Sequence, residues 1–370
     1  MRVLYLSEWY PNIYDTSSGR FVRGHAISAV QQGDDVCTLF FYKAPQSDPE
    51  QLFEQETEGV KEVYMYYHGS FLSAMRRGWQ FVQEHWGMPQ VCQLNVISKN
   101  ALLAMWLKAK HGIPYIIVEH WTGYYPESGA YKGVIHRLMA QAAVRHAALI
   151  LTVSTELEHH MRRCGLQHKD YRLIRNVVYD MFFTPQARKA DGVKRLLHVS
   201  FFDDAHKNVS DIVRALALVA KERQDFECVM IGKGKDHQRV QQLAKDLHIP
   251  AKLIRWEGEL EPQEVCERFY QSDFFVFYSN YETAGIVISE SLICGKPVIS
   301  TPVGIAPDVI TPQTGVLVEK RNPEALAKAI NHMLDHYDEY DAAHLREVGK
   351  AYSLENVGKF LHDIYTEVRS

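Results

Sequence analysis

The chain has 370 residues, 46% of them hydrophobic, with 41 Lys and Arg against 45 Asp and Glu and a formal net charge of −4. That length exceeds one ordinary hydrophobic core, so two domains are expected, and the near-neutral balance excludes the whole-molecule basic field that nucleic-acid binding uses. Any anion site must be local.

The first strand is expected at 2–6. Its run, MRVLYLSEWYP, meets Glu8 too early to serve as a secretory signal core. Further strands are expected at 36–41, 91–96, 115–119 and 149–153, with helices at 21–32, 72–85, 100–111, 133–146 and 155–164 between them. Gly33, Gly112-Ile-Pro114 and Gly165 mark helix ends. Residues 176–192, with Pro185 and little periodicity, read as an interdomain linker. A second alternation follows, with strands at 195–199, 227–231, 252–256, 273–278 and 297–300 and helices at 208–220, 238–247, 262–271 and 284–294. The last segment, from Ser353, sets Leu354, Val357, Leu361, Ile364 and Tyr365 on one stripe of a closing helix.

Strands alternating with helices predict an α/β protein of two Rossmann-like halves with parallel sheets, divided as 1–178, 179–350 and a closing helix at 351–370. Cys37, Cys92, Cys164, Cys228, Cys266 and Cys294 lie far apart and mostly in apolar runs, so they read as buried thiols in a reducing, cytoplasmic setting. No stretch is apolar for long enough to span a bilayer, the best being 101–107.

The segment from Tyr281 to Ile299 carries the chemistry. Glu282 should sit in a loop at the C-terminal edge of a strand, where open α/β sheets bind ligands. Thr283 can cap the next helix, leaving the amides of Ala284, Gly285 and Ile286 free to hold a diphosphate. Glu290, about two turns on, can accept two hydrogen bonds from a ribose diol.

Glu282 and Glu290, with seven residues between them and Ser-Leu-Ile-Cys-Gly-Lys-Pro-Val-Ile after them, resemble the signature of family 4 glycosyltransferases. Asn176 to Pro185 is similar to that family's linker, though Val177 and Tyr179 replace its Gly and Asp. Met230-Ile-Gly232-Lys-Gly234 and Thr301-Pro-Val-Gly304 resemble its glycine turns. In the first half, Ser18-Gly19-Arg20-Phe21 resembles the glycine loop against the donor phosphates, and Glu119-His120-Trp121-Thr122-Gly123-Tyr124 the segment bearing the active-site histidine.

The resemblance implies the GT-B fold, two sheets facing across a cleft with the C-terminal helix packed back on the N-terminal domain. It implies a retaining glycosyltransferase in polysaccharide or glycan assembly. The donor would be a nucleotide diphosphate sugar, UDP or GDP being the bases considered, and the acceptor a carbohydrate or lipid-linked carbohydrate. Catalytic roles fall on His120, Glu282 and Lys207. Donor binding falls on Gly19, Arg20, Gly232, Thr283, Ala284, Gly285, Ile286 and Glu290. Phe201 stands where the family has a phosphate-binding Arg, and Arg20 is the candidate replacement.

No cofactor beyond the nucleotide sugar is expected. No Asp-x-Asp triplet occurs, and the adjacent His159 and His160 face different ways on a helix, so no metal is expected either. Residues 131–175 hold eight Lys or Arg against three acids, and Arg76-Arg77-Gly78-Trp79 reads as an exposed basic and aromatic spot. Both suggest peripheral contact with an anionic membrane at its inner face. Acceptor recognition is expected in loops such as 50–62 and 124–132. Two alternatives stay open: another enzyme on the same fold, a phosphorylase or epimerase, and a catalytically silent subunit that binds a sugar nucleotide.

Overall fold

The computed structural model describes residues 1–187 and 191–369; residues 188–190 of the expected linker and Ser370 of the closing helix lie outside the described residues. The chain divides into two compact units, one made of residues 1–177 with 352–370, the other of 178–351.

The first unit runs β1 (Arg2–Ser7), α1 (Arg20–Gln31), β2 (Asp35–Lys43), β3 (Gln51–Thr57), β4 (Val60–Tyr67), α2 (Phe71–His85), β5 (Val91–Asn95), α3 (Ala101–His111), β6 (Tyr115–Glu119), α4 (Val134–His146), β7 (Ile150–Thr152), α5 (Thr155–Arg163) and β8 (Tyr171–Leu173). Its sheet has the order β3-β4-β2-β1-β5-β6-β7-β8. All pairs are parallel except β3 with β4. The second unit runs β9 (Lys194–Val199), α6 (Asp204–Lys207), α7 (Val209–Glu222), β10 (Phe226–Ile231), α8 (His237–Asp246), β11 (Ile254–Gly258), α9 (Pro262–Gln271), β12 (Phe274–Phe277), α10 (Ile286–Ile293), β13 (Val298–Ser300), α11 (Ala306–Val309), β14 (Gly315–Leu317), α12 (Pro323–His336) and α13 (Ala342–Lys350). Its sheet is parallel throughout, in the order β11-β10-β9-β12-β13-β14.

Central strands such as β1, β5, β6 and β12 are buried on both faces, which is why they read as continuous apolar runs rather than alternating ones. The closing helix, α14 (Leu354–Arg369), belongs to the first unit and packs along α1. Tyr365 in it shares a 2.6 Å hydrogen bond with the Tyr5 hydroxyl and donates to Gln93 Oε1 at 2.6 Å, so one buried polar chain joins the helix to β1 and β5. No described helix is long and apolar enough to cross a membrane.

Three expectations need correction. Residues 50–62 are not a recognition loop but most of a β-hairpin: Thr57 pairs with Val60 across Glu58 and Gly59, both with positive φ (48° and 79°), as a tight hairpin turn requires. β3 escapes detection because it is an edge strand, largely exposed, so no apolar face selects its residues. Trp79 is not part of an exposed spot. It is buried, edge-on to Trp106 with centroids 6.3 Å apart, and Arg77 is paired with Glu50 at 2.9 Å. Finally, α10 starts at Ile286 rather than 284, so Thr283 lies outside it and caps nothing; the N-cap is Gly285, which holds its left-handed conformation (φ 77°) without a side-chain hydrogen bond.

Candidate functional site

In the second unit, the strands set several loops together at their C-terminal edge. β12 delivers Ser279 to Glu282, and β9 delivers α6 with Lys207 in its last turn. Two hydrogen bonds join these segments: Asn280 N–H donates to the His206 carbonyl (2.8 Å), and Asn280 Nδ2 to the Ala205 carbonyl (3.0 Å). The result brings Lys207 Nζ onto Glu282 Oε1. Ser279 Oγ donates to the same oxygen at 2.8 Å, and His206 Nε2 lies 3.6 Å from it while its ring stacks on Tyr281.

Glu282 is buried. Burial pushes its carboxyl up, but the Lys207 charge and the His206 contact outweigh that and hold it at about 2. It is therefore a fixed anion at neutral pH, with its cation in place.

Behind Glu282, Thr301 Oγ1 donates to the Ser279 carbonyl (2.7 Å), and Ile305 N–H donates to the Ala284 carbonyl (2.9 Å), fixing the approach to α10. The first helical hydrogen bond is Ile288 N–H to the Gly285 carbonyl, so the amides of Gly285 and Ile286 stand ahead of it at the positive end of the helix. Such an end can hold a phosphate. Gly232, after β10, sits under the β9 turn: a Cβ there would lie 1.8 Å from the Ser200 carbonyl oxygen, and only glycine fits.

Glu290 is half-buried on α10, and no hydrogen-bond partner is assigned to its carboxylate among the described residues. Burial pushes it up to about 7. A group accepting from two hydroxyls binds best when ionised, so nucleotide affinity should climb between about pH 6 and pH 8 as Glu290 deprotonates. Calorimetric titration checks this, with Glu290→Gln as the control that subtracts phosphate titration. A wild-type pH profile no steeper than that of Glu290→Gln would remove Glu290 from the nucleotide site.

Phe201, where a cation was sought, is 58% exposed, whereas Phe202 beside it is fully buried in the core of this unit. The nearby Lys233 and Lys235 are each engaged, with Glu259 and with Asp203.

In the first unit, β6 ends at Glu119, whose buried carboxylate accepts from the amides of Ile97, His120 and Trp121 and from the Tyr124 hydroxyl, at 2.8–3.0 Å. This locks the turn that presents His120. The imidazole is buried against Phe21 (centroids 4.1 Å apart) and near His25 (5.8 Å), and its Nε2 makes no hydrogen bond. Burial, with the neighbouring His25 as a lesser cause, drives its pKa well below the ordinary value, so the ring is neutral. Gly19 is the N-cap of α1, and Arg20 is exposed with Nε donating to the Thr16 carbonyl at 3.1 Å.

The structure thus brings Lys207, Glu282 and the start of α10 together in one unit and sets Gly19, Arg20 and His120 in the other. Sequence reasoning missed His206 and Ser279, which complete the surroundings of Glu282. Their positions beside Lys207 and just before Glu282 were the only signal.

Two sequence families match. The one described as glycosyl transferases group 1 covers residues 182–350, and the glycosyl transferase 4-like domain covers residues 18–177. Together the two matches support a glycosyltransferase of the family 4 type.

Among related sequences, N-acetyl-alpha-D-glucosaminyl L-malate synthase of Bacillus anthracis is 29% identical over 185 residues, 48% of this chain and 47% of that protein. The match thus spans about half the length of that relative. Among solved structures, sucrose-phosphate synthase from Thermosynechococcus elongatus superposes with a TM-score of 0.79 at 18% identity, covering 100% of this chain and 99% of the other. Anabaena HepE, solved in complex with UDP, gives 0.76 at 14% identity over 99% and 100%. Both have this α/β fold of two Rossmann-like domains, the GT-B fold.

Proposed function

We propose that this chain transfers a sugar, with retention of anomeric configuration, from a nucleotide diphosphate sugar to a carbohydrate or lipid-linked carbohydrate acceptor. The observation that carries the reading is the Lys207–Glu282 pair beside the open amides of α10. The amides and Lys207 hold the diphosphate and stabilise the charge that grows on it as the bond to the sugar breaks. Glu282 accepts from donor-sugar hydroxyls, and Glu290 from the ribose. The departing phosphate takes the acceptor's proton as the new bond forms on the same face of the sugar. Neutral His120 offers its unpartnered Nε2 to a sugar hydroxyl. HepE holds UDP, which supports a uridine or similar base for the donor. Six free thiols support a cytoplasmic location.

Charge on the leaving group is met here by amides and an ammonium, so we propose that transfer needs no metal. Transfer from UDP- and GDP-sugars is expected to survive excess chelator. Activity that vanishes with chelator and returns with manganese or magnesium would replace this account of the leaving group.

A further inference from the structure

The start of α4 presents apolar side chains outward. Val134, Ile135 and Leu138 are 73%, 85% and 60% exposed, while the same helix buries Ala140, Ala143 and Val144 further along. Leu138 lies four positions after Val134 and three after Ile135, the spacings that make side chains neighbours on a helix, so it joins the two into a contiguous apolar ridge. An exposed ridge of this kind marks a surface with a partner.

Beside it, the loop before α4 and the end of α5 frame a cavity of about 470 Å³. Lys132, Arg137 and Arg163 line it together with Tyr124, Tyr125 and Tyr131, and none of its described lining residues is acidic. Arg137 lies over the Tyr131 ring (5.5 Å) and donates to the Tyr131 carbonyl (3.1 Å), which holds its guanidinium at the cavity. No carboxylate is assigned as an ion-pair partner of these three cations among the described residues. Cations gathered without counter-ions call for an anion, and an apolar ridge next to them calls for an apolar phase. An anionic lipid supplies both within one molecule: phosphate at the cavity and acyl chain at the ridge.

We propose that this face docks the protein on an anionic bilayer, with Val134, Ile135 and Leu138 entering the boundary between headgroups and acyl chains and Lys132, Arg137 and Arg163 receiving lipid phosphate. The proposal stands whether or not the chain transfers a sugar, and it places the membrane contact on the start of α4 rather than at Arg76 to Trp79.

The test is co-sedimentation of the full chain with vesicles of phosphatidylcholine alone or mixed with phosphatidylglycerol. Binding is expected to the mixed vesicles only and to weaken with salt. Ile135→Glu with Leu138→Glu should lower that binding tenfold or more, and Arg137→Gln or Arg163→Gln about fivefold each. Melting temperatures should match the wild type for the glutamate pair, because those side chains are already in water. Three results would overturn the proposal: equal binding to both vesicle types, unchanged binding of the glutamate variant, or a dimer of the wild-type chain in light scattering that the glutamate variant dissolves. The last would make the face an interface between copies.

Discussion

Lys207→Ala is expected to lower turnover by about a hundredfold, the usual effect of removing one preorganised donor from a developing charge. The Lys207 side chain is 17% exposed, and its ammonium touches Glu282 and lies 5.9 Å from the centre of the Phe277 ring, so it is held in place before any substrate arrives. Nucleotide binding should fall less than turnover, because the leaving phosphate gains charge only as the bond breaks. Lys207→Arg need not rescue it, since a planar fork does not fill the place of a compact ammonium.

The substitution also strips a buried carboxylate of its counter-ion, which by itself destabilises. Glu282 is held at about 2 in the intact pair, and without Lys207 its carboxyl should rise, with His206 and Ser279 left to support it. Adding Glu282→Gln to Lys207→Ala removes the unpaired charge. The double variant should therefore regain melting temperature without regaining turnover. Steady-state kinetics beside thermal melting separate the two effects. A folded Lys207→Ala protein with near wild-type turnover would make Lys207 a structural counter-ion and pass the catalytic role to another cation, Arg20 being the first to test.

Glu290→Ala is expected to weaken nucleoside diphosphate binding tenfold to a hundredfold, about 1.5–3 kcal/mol for lost charge-assisted hydrogen bonds. In the free protein this carboxylate is half-buried, and burial lifts it to about 7, with no group among the described residues holding it down. Its removal relieves a desolvation cost rather than breaking a contact. The unliganded variant should melt no lower than the wild type even as its affinity collapses. Calorimetry for affinity and a melt without ligand form the test, and unchanged affinity would leave Glu290 a residue of α10 with no part in the site.

The chemistry of the second unit was legible in sequence for physical reasons, though its β14, α12 and α13 were not expected. Its strands are buried parallel strands that read as apolar runs, and its chemistry sits on a helix start, where spacing along the chain becomes spacing along an axis. Glu282 and Glu290 could be read that way. Ser279, His206 and Lys207 could not be assembled around one oxygen without knowing that Asn280 joins α6 to the loop after β12.

In the first unit, β3 was hidden because an exposed edge strand has no obligatory pattern. The Glu58-Gly59 turn and the Tyr64-Met-Tyr66-Tyr67 run of β4 were the available clues. Trp79 failed differently: Arg76 and Arg77 are exposed, but Trp79, two or three positions on, turns inward. The shift of α10 to Ile286 came from Gly285, whose left-handed backbone begins the helix where Thr283 had been expected to.

The discontinuity of the first unit bears on how the protein is made. Residues 1–177 carry its whole sheet, but the helix that covers α1 and meets Tyr5 and Gln93 follows the second unit in the chain. During synthesis, residues 178–351 emerge with every strand and helix of their own unit, while the older segment still waits with the α1 surface and two buried polar groups uncovered. The part translated second can thus finish folding first. The nascent chain's vulnerable interval lies at its N-terminal half, and a ribosome that stalls anywhere before Leu354 leaves that half for chaperones to hold.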